Sequence, residues 1–296
     1  MSAQIQALRQ YYDANTARFL RFGGSGGSRA IHRGLWEDGV HNAEQAADRI
    51  NQRIVETWNR LALAAPKRVR DLGCGVGGSL FHFAQAWPEA ALEGLTLSPR
   101  QAAMAAQEAM ARGLDSRLRI ACTDFLQPAA QSADLVVAIE SHVHAPSAAT
   151  FLTAAARGLS RTGKLVIVDD MLARPESQLS VADQRLVATF RRGWRLGHVP
   201  DAEDLKATAA AAGLHCLVDE DLTQHLRLNR WRDLALHALA PLADALGGNR
   251  WPLFANMIGG NALTLAYKRG IMRYRLMMFA GRGRRSKRGR ALSVML

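Results

Sequence analysis

The chain has 296 residues, of which 48% are hydrophobic and 22% charged. This apolar content can fill the core of one large or two small domains, and it excludes global disorder, which requires low hydrophobicity. No apolar run reaches the roughly 18 residues of a membrane helix, and the first residues, MSAQIQALRQYYD, lack the apolar core of a signal peptide. Three cysteines cannot all pair within one chain, so we expect a reduced, cytoplasmic protein.

The formal charge of +12 comes from one part of the chain. From residue 245 onward there are eleven Lys and Arg residues and no acidic residue, whereas the first 244 residues carry 27 basic and 26 acidic side chains. The basic run RGRRSKRGR predicts an unstructured tail over residues 282–296. Such a tail is either simply solvated or contacts a polyanion, namely nucleic acid or an anionic membrane.

The N-terminal part of the chain is predicted to be a helical lid segment over residues 1–65. Apolar residues recur at helical spacing over 3–20 and over 42–65. The glycine-rich stretch between these helices, 22–28, lacks the Gly-Lys-Ser/Thr ending of a phosphate-binding loop, so we interpret it as a hinge.

From residue 67 onward, short apolar strands alternate with helical stretches. This alternation is typical of parallel βαβ units with right-handed crossovers and predicts an α/β fold. The predicted strands are 69–72, 91–95, 118–121, 135–139, 165–168, 214–218 and 274–279. The predicted helices are 78–86, 99–112, 147–160, 177–192 and 202–212, followed by a mostly helical region over 223–267 with interruptions at Gly247-Gly248 and Gly259-Gly260.

The sharpest motif, Arg-Asp-Leu-Gly-Cys-Gly-Val-Gly-Gly (70–78), lies where the first predicted strand passes into a helix. Open α/β sheets bind ligands at this edge, and glycine lets a ligand come close to the backbone. The glycine spacing differs from that of a dinucleotide fingerprint. The motif resembles the first motif of class I S-adenosylmethionine-dependent methyltransferases, which implies that Asp71, Gly73, Gly75 and Gly77 face the amino-acid part of the cofactor.

Two further segments resemble the same family at the expected intervals. Gly-Leu-Thr-Leu-Ser-Pro-Arg-Gln (94–101) is similar to cyclopropane-fatty-acid synthases and to prenyl-diphosphate or sterol C-methyltransferases, which implies that Thr96 and Gln101 contact the ribose. Thr96 stands where many class I enzymes carry Asp or Glu. After the third strand, the resemblance implies that Asp124 binds the adenine amino group and that Phe125 packs on the ring. Asp124 could instead be an ordinary cap between strand and loop.

The fourth strand ends in Ile-Glu-Ser-His-Val-His (139–144), which resembles the Glu-Ser segment of the same C-methyltransferase subgroup. The resemblance implies that this strand end faces the transferred methyl group, which makes Glu140 a candidate carbocation stabiliser and base, and His142 a candidate base. The predicted substrate pocket has five members: Tyr12, Trp36, His144, Trp194 and Arg192. The arginine could grip a diphosphate or belong to a solvated face. The segment 31–40 resembles the lid entry of sterol and tocopherol methyltransferase-like enzymes.

Taken together, the resemblance implies a Rossmann-like class I methyltransferase core over 66–281. We expect a seven-stranded, mostly parallel sheet with the N-terminal helical lid and with helical insertions at about 171–200 and 223–267, before the last strand. The implied cofactor is S-adenosyl-L-methionine. We expect no metal, because the two histidines of the fourth strand end have no further ligands at recognisable spacing.

The preferred function is methyl transfer to a lipophilic small molecule, with C-methylation of an isoprenoid or prenyl diphosphate first. The alternative is O-methylation of a phenolic or natural-product acceptor, with His142 or Glu140 as base. A nucleic-acid methyltransferase is disfavoured because the Asn/Asp-Pro-Pro-aromatic segment and an RNA-binding module are missing. The intact glycine motif disfavours an inactive partner subunit. A lipophilic substrate makes weak membrane contact through the basic tail the preferred role of that tail, and the sequence is compatible with a homo-oligomer.

Overall fold

The computed structural model describes residues 31–127, 131–228 and 252–281, and nearer the N-terminus residues 6, 8–10, 12, 13, 16 and 29. The predicted glycine-rich hinge (22–28), the Gly247-Gly248 pair and the predicted basic tail (282–296) lie outside the described residues. Within the described part of the chain, no helix is long and apolar enough to cross a membrane.

Seven strands form one sheet in the order β3-β2-β1-β4-β5-β7-β6. The strands are β1 (Arg68–Leu72), β2 (Ala91–Thr96), β3 (Leu118–Cys122), β4 (Ala133–Ile139), β5 (Leu159–Leu172), β6 (Leu214–Asp221) and β7 (Met272–Gly281). The first five are parallel, and β7 runs antiparallel to its neighbours β5 and β6. The predicted α/β class with a seven-stranded, mostly parallel sheet is confirmed. Strand order reverses between β1 and β4, where open sheets of this kind bind ligands.

Seven α-helices connect the described strands or precede them. They are α1 (Ala43–Arg60), α2 (Gly78–Ala86), α3 (Pro99–Ala111), α4 (Ala148–Gly158), α5 (Val181–Trp194), α6 (Ala202–Ala211) and α7 (Pro252–Lys268). Five of them begin at a polar side chain that accepts a backbone N–H of the first turn: Asn42, Ser98, Ser147, Ser180 and Asp201. These caps satisfy donors that a helix start otherwise leaves free, and they explain why the predicted starts lie within a few residues of the observed ones.

The sheet is covered by helices on both faces. Helices α1, α2, α5 and α7 pack on one face, whereas α4 and α6 pack on the other. Strand β5 is longer than the predicted 165–168 because it pairs with β7 from Lys164 to Leu172 and reaches back to β4 at Leu159. Burial on both faces explains the continuous apolar runs in the central strands.

Helix α7 continues through Gly259-Gly260, where the sequence pattern predicted an interruption. The reason is close packing between helices, because a Cβ atom on Gly193 of α5 would lie 2.6 Å from the Cα atom of Gly259. A Cβ atom on Gly259 would in turn lie 2.7 Å from Cδ1 of Trp194. Glycine at 259 therefore lets α5 and α7 come into backbone contact and leaves room for the Trp194 ring.

We expect Gly259→Ala to lower the free energy of unfolding by about 1–3 kcal/mol, because the added methyl group overpacks the contact between α5 and α7. Gly260→Ala is the matched control, since no atom lies within 4 Å of its Cβ position. At that position the loss of glycine flexibility should stabilise the helix by about 0.5–1 kcal/mol. Chemical denaturation followed by circular dichroism measures both variants, and equal effects would contradict the packing explanation.

Candidate active site

A cavity opens at the carboxyl ends of β1, β2 and β4. Its empty space is about 1160 Å³, including the part that is open to solvent. The lining has two parts of different chemistry, which suits a cofactor and an acceptor bound side by side. One end is lined by the glycine motif, and the other by aromatic and aliphatic residues of α5 and the N-terminal segment.

Three glycines with left-handed backbone follow β1, with φ of 105° at Gly73, 54° at Gly75 and 90° at Gly77. Gly73 and Gly75 line the cavity, whereas Gly77 lies behind it as the N-cap of α2, beside the ring of Phe81. A Cβ atom on Gly73 would lie 2.6 Å from Cβ of Ser141. The turn therefore requires glycine both for its positive φ and for its contact with the end of β4.

Asp71 places its carboxyl group in the cavity wall, directly before this turn. Burial raises the pKa of Asp71 to about 7. Among the described residues, no Lys or Arg forms an ion pair with it. A buried carboxylate is costly unless a cation accompanies it. The ammonium group of an amino-acid moiety fits this site, because its charge would stabilise the ionised form.

Thr96 and Gln101 also line the cavity, beside the glycine turn. The Thr96 hydroxyl donates to Oε1 of Gln101 at 2.7 Å, and both side chains are buried. Ser98 caps α3, because its hydroxyl accepts the backbone N–H of Gln101 at 3.1 Å. The structure thus brings together the two residues that were expected to contact a ribose.

The two residues after β3 have different positions. Phe125 lines the cavity and packs edge-on against Phe151, with ring centroids 5.7 Å apart. Asp124 is not among the lining residues, and its Oδ1 atom accepts the backbone N–H of Leu126 at 2.9 Å. This placement differs from the expected adenine contact and favours the alternative of a capping residue.

Glu140 lies just after β4 and lines the cavity. Its φ of 49° is unusual for a residue with a side chain, and such backbone conformations concentrate at functional sites. The Oε1 atom accepts the backbone N–H of Arg33 at 2.9 Å and the hydroxyl of Tyr274 at 2.8 Å. The carboxylate is therefore held in one orientation at the edge of the cavity.

Four residues around this carboxylate were not found from the sequence: Arg33, Asp170, Tyr267 and Tyr274. The guanidinium of Arg33 donates two hydrogen bonds to the Asp170 carboxylate, at 2.9 and 2.8 Å. The hydroxyl of Tyr267 donates to the same carboxylate. Burial raises the pKa of Asp170, although the charge of Arg33 acts in the opposite direction. Two adjacent acidic residues at the end of an apolar strand are the signal that could have indicated Asp170.

The two histidines after β4 also have different environments. His142 is fully buried, with Nδ1 2.7 Å from Oδ2 of Asp169, and it does not line the cavity. Its ring packs against those of Phe151 and His198, which is why it points away from the position expected of a base. His144 does line the cavity, with Nε2 2.7 Å from the hydroxyl oxygen of Tyr12. Burial lowers the pKa of His142 to about 3 and that of His144 to about 4, so both rings are neutral at pH 7.

Helix α5 contributes Trp194 to the cavity wall, together with Phe190 one helical turn earlier. Arg192 lies between them in sequence and therefore on another face, where it is exposed and donates to Oγ1 of Thr189 at 3.3 Å. The predicted diphosphate grip at Arg192 is thus not at the cavity.

Trp36 also differs from the sequence-based expectation, since it does not line the cavity. Its backbone N–H donates to the carbonyl of His225 at 2.8 Å, and the Arg227 guanidinium lies 3.3 Å from the centre of its ring. Trp36 therefore joins the N-terminal segment to the residues that follow β6. In the described ranges, no group of three or more His, Cys, Asp or Glu side chains is arranged to hold a metal ion.

The sheet order, the glycine turn after β1 and the buried carboxylate before it define a class I methyltransferase. The chain matches the model of the mycolic acid cyclopropane synthetase family over residues 4–254 and belongs to that family. It is an S-adenosylmethionine-dependent methyltransferase.

Three known proteins illustrate the similarity. The 27-O-demethylrifamycin SV methyltransferase of Amycolatopsis mediterranei is 30% identical over 200 residues, which cover 67% of this chain and 71% of the relative. A probable tocopherol O-methyltransferase of Oryza sativa is 32% identical over 149 residues, covering 47% and 40%. The solved geranyl diphosphate C-methyltransferase of Streptomyces coelicolor A3(2) superposes with a TM-score of 0.69 at 17% identity, covering 95% of this chain and 99% of that chain.

We expect the affinity for S-adenosylmethionine to rise between pH 5.5 and pH 7.5. We expect the cofactor ammonium to pair with the ionised Asp71. Because burial raises the pKa of that group to about 7, binding at lower pH would first have to expel a proton. Affinity should therefore fall by up to about tenfold per pH unit below 7. Isothermal titration calorimetry measures this slope.

Asp71→Asn should weaken binding and remove the pH dependence over the same range. Asp124→Asn is the control, because Asp124 lies outside the cavity wall and should leave the slope unchanged. A flat profile in the unsubstituted protein would show that Asp71 does not pair with the ammonium.

Proposed function

We propose that this protein methylates a hydroxyl group of a lipophilic, uncharged small molecule, with Glu140 as the proton acceptor. The observation that carries the proposal is the carboxylate of Glu140, which is held by Arg33 and Tyr274 at the edge of a cavity with an aromatic and aliphatic wall. In the family, this strand end faces the transferred methyl group, so the carboxylate would lie beside the reacting atoms.

The charges around the cavity support an uncharged acceptor. Arg33 is engaged by Asp170 and Glu140, and Arg29 forms an ion pair with Glu108 at 2.9 Å. Both described cations of the cavity wall are therefore already paired, and a diphosphate would have to displace a carboxylate to bind them. The apolar wall supports the lipophilic part of the expectation, whereas the placement of Arg192 removes the support for a diphosphate.

The hydroxyl acceptor is supported by a polar pair in the otherwise apolar wall. His144 and Tyr12 are hydrogen-bonded to each other and line the cavity, so they can orient an acceptor hydroxyl. Bound S-adenosylmethionine would supply the methyl group to the acceptor oxygen by an in-line displacement and would leave as a neutral thioether. The hydroxyl proton passes to Glu140. The relatives include a 27-O-demethylrifamycin SV methyltransferase and a probable tocopherol O-methyltransferase, and both names support the same acceptor class.

A second candidate is C-methylation of an isoprenoid alkene. Methylation of an alkene creates a carbocation, which aromatic faces and a carboxylate stabilise before a proton is lost. Phe190, Trp194 and Glu140 line the cavity and could provide both. The fold of a geranyl diphosphate C-methyltransferase is compatible with this reaction.

Labelled cofactor tests the reaction and the acceptor class together. Purified protein is incubated with methyl-labelled S-adenosylmethionine and cell extract, which is then separated into organic-soluble and nucleic-acid fractions. We expect the label in the organic-soluble fraction. Chemical cleavage of methyl ethers should then remove the label from the product, and mass spectrometry should detect the loss of an O-methyl group. Label that survives cleavage would favour the alkene reaction, and label in nucleic acid would contradict both candidates.

Glu140→Gln should lower kcat by about 100-fold or more, because the general base is lost, while the affinity for the cofactor stays unchanged. His144→Asn should raise KM for a hydroxyl acceptor by about tenfold through loss of orientation, and should leave an alkene reaction almost unaffected. The control is Glu89→Gln, which changes an exposed carboxylate. Near-normal turnover of the Glu140 variant would mean that another group accepts the proton.

A further inference from the structure

We infer that Arg33 is a positioning residue for Glu140, because it fastens the segment 31–40 to the acceptor end of the cavity and thereby orients the carboxylate. The inference rests on the proposed role of Glu140 in the reaction. It assigns to Arg33 a part in turnover that acts through Glu140.

One residue joins two carboxylates from neighbouring strands. The backbone N–H of Arg33 donates to Glu140 after β4, while its guanidinium donates two hydrogen bonds to Asp170 in β5. The Nη1 atom also lies 3.6 Å from Oε1 of Glu140. The side chain is thus anchored by its hydrogen bonds to Asp170 and also faces Glu140, so its position constrains where the backbone N–H of Arg33 points.

The guanidinium has little freedom to leave this position. Asp170 is only 3% exposed, and the paired hydrogen bonds between guanidinium and carboxylate are strong in such surroundings. The Arg33 guanidinium lies 5.9 Å from the ring centre of Tyr267 and 5.4 Å from that of Tyr274. The hydroxyl groups of these two tyrosines donate to Asp170 and to Glu140, respectively. The Arg33 side chain is therefore held by Asp170 of β5, by the tyrosines of α7 and β7, and by Glu140 after β4.

The residues beside Arg33 connect this contact to the rest of the cavity. The Cδ1 atom of Ile31 lies 3.3 Å from the place that a Cβ atom on Gly75 would occupy in the glycine turn, and His32 lines the cavity. Leu35 donates its backbone N–H to the carbonyl of Ala46 in α1. The ion pair between Arg33 and Asp170 is thus the attachment of this segment on the acceptor side. Without it, the N–H of Arg33 is still present but is no longer directed at Glu140.

The test compares four variants: Arg33→Gln, Arg33→Lys, Asp170→Asn and the double variant Arg33→Gln/Asp170→Asn. We expect Arg33→Gln to lower kcat by about 30-fold or more, because the orientation of the base is lost. The KM for the acceptor and the affinity for the cofactor should change by less than about threefold. Lysine keeps the charge without the paired hydrogen bonds, so Arg33→Lys should recover part of kcat. The double variant should lose no more than the worse single variant, because both substitutions break the same ion pair.

Arg49→Gln is the matched control, because Arg49 is also a partly buried, ion-paired arginine but does not line the cavity. Its kcat should be unchanged. Thermal unfolding and calorimetric binding of S-adenosylmethionine check that each variant is folded. If Arg33→Gln alone unfolds, the double variant is measured in its place, since it leaves no unpaired carboxylate at position 170.

The outcomes separate this inference from the proposed function. Normal kcat in a folded variant without the Arg33 side chain, together with an inactive Glu140→Gln, overturns the positioning role and leaves the function standing. Normal kcat in Glu140→Gln overturns the function itself. Additive losses in the double variant would also contradict the inference, because Arg33 and Asp170 would then act separately.

Discussion

The parallel pairing of β1 with β4 is the constraint on which the rest of the active site depends. Asp71 near the end of β1 lies in register with Val137 of β4, so the glycine turn after one strand meets the residues that follow the other. Ser141 connects the two directly, because its hydroxyl donates to the carbonyl of Leu72 at 2.5 Å and its side chain fills the space that a Cβ atom on Gly73 would need. The glycine turn and Glu140 are consequently neighbours.

Desolvation determines the chemistry that this edge can support. Burial raises the pKa of Asp71 and lowers that of His144, so the cavity wall combines a carboxyl group that needs a cation with an imidazole that stays neutral. Arg33 is already paired with acidic groups. This distribution suits a cofactor whose amino-acid part carries an ammonium group, and it supports the proposal of an acceptor without charge.

The N-terminal segment completes the site from outside the sheet. Tyr12 contacts His144, and Ile31 lies against the glycine turn. Arg33 binds the carboxylates of Glu140 after β4 and of Asp170 in β5. The described residues of this segment belong to no strand of the sheet, so the sheet by itself does not form these contacts on the acceptor side. A segment that contacts both ends of the cavity can limit the access of water during methyl transfer, which strengthens electrostatic interactions in the site and prevents side reactions.

Local sequence patterns were sufficient to predict the alternation of strands and helices and the glycine turn. These features depend on short-range causes: continuous apolar runs for buried strands, positive φ for glycine, and a polar side chain that caps a helix. The cofactor was implied by the resemblance of the glycine motif to that of class I methyltransferases. The position of Glu140 after β4 could also be predicted, because parallel strands place their carboxyl ends at one edge. The strand β7 was predicted at 274–279, but its antiparallel place between β5 and β6 has no such local signature.

Only the tertiary structure decided which candidate side chains face the cavity. His142 and His144 lie two residues apart after the same strand, yet Asp169 holds one ring in the core while the other reaches Tyr12. Arg192 and Trp194 share one helix, but only the tryptophan is directed inward. The importance of Arg33 depends on a partner 137 residues away. Such contacts follow from packing between distant segments, which short-range periodicity does not encode.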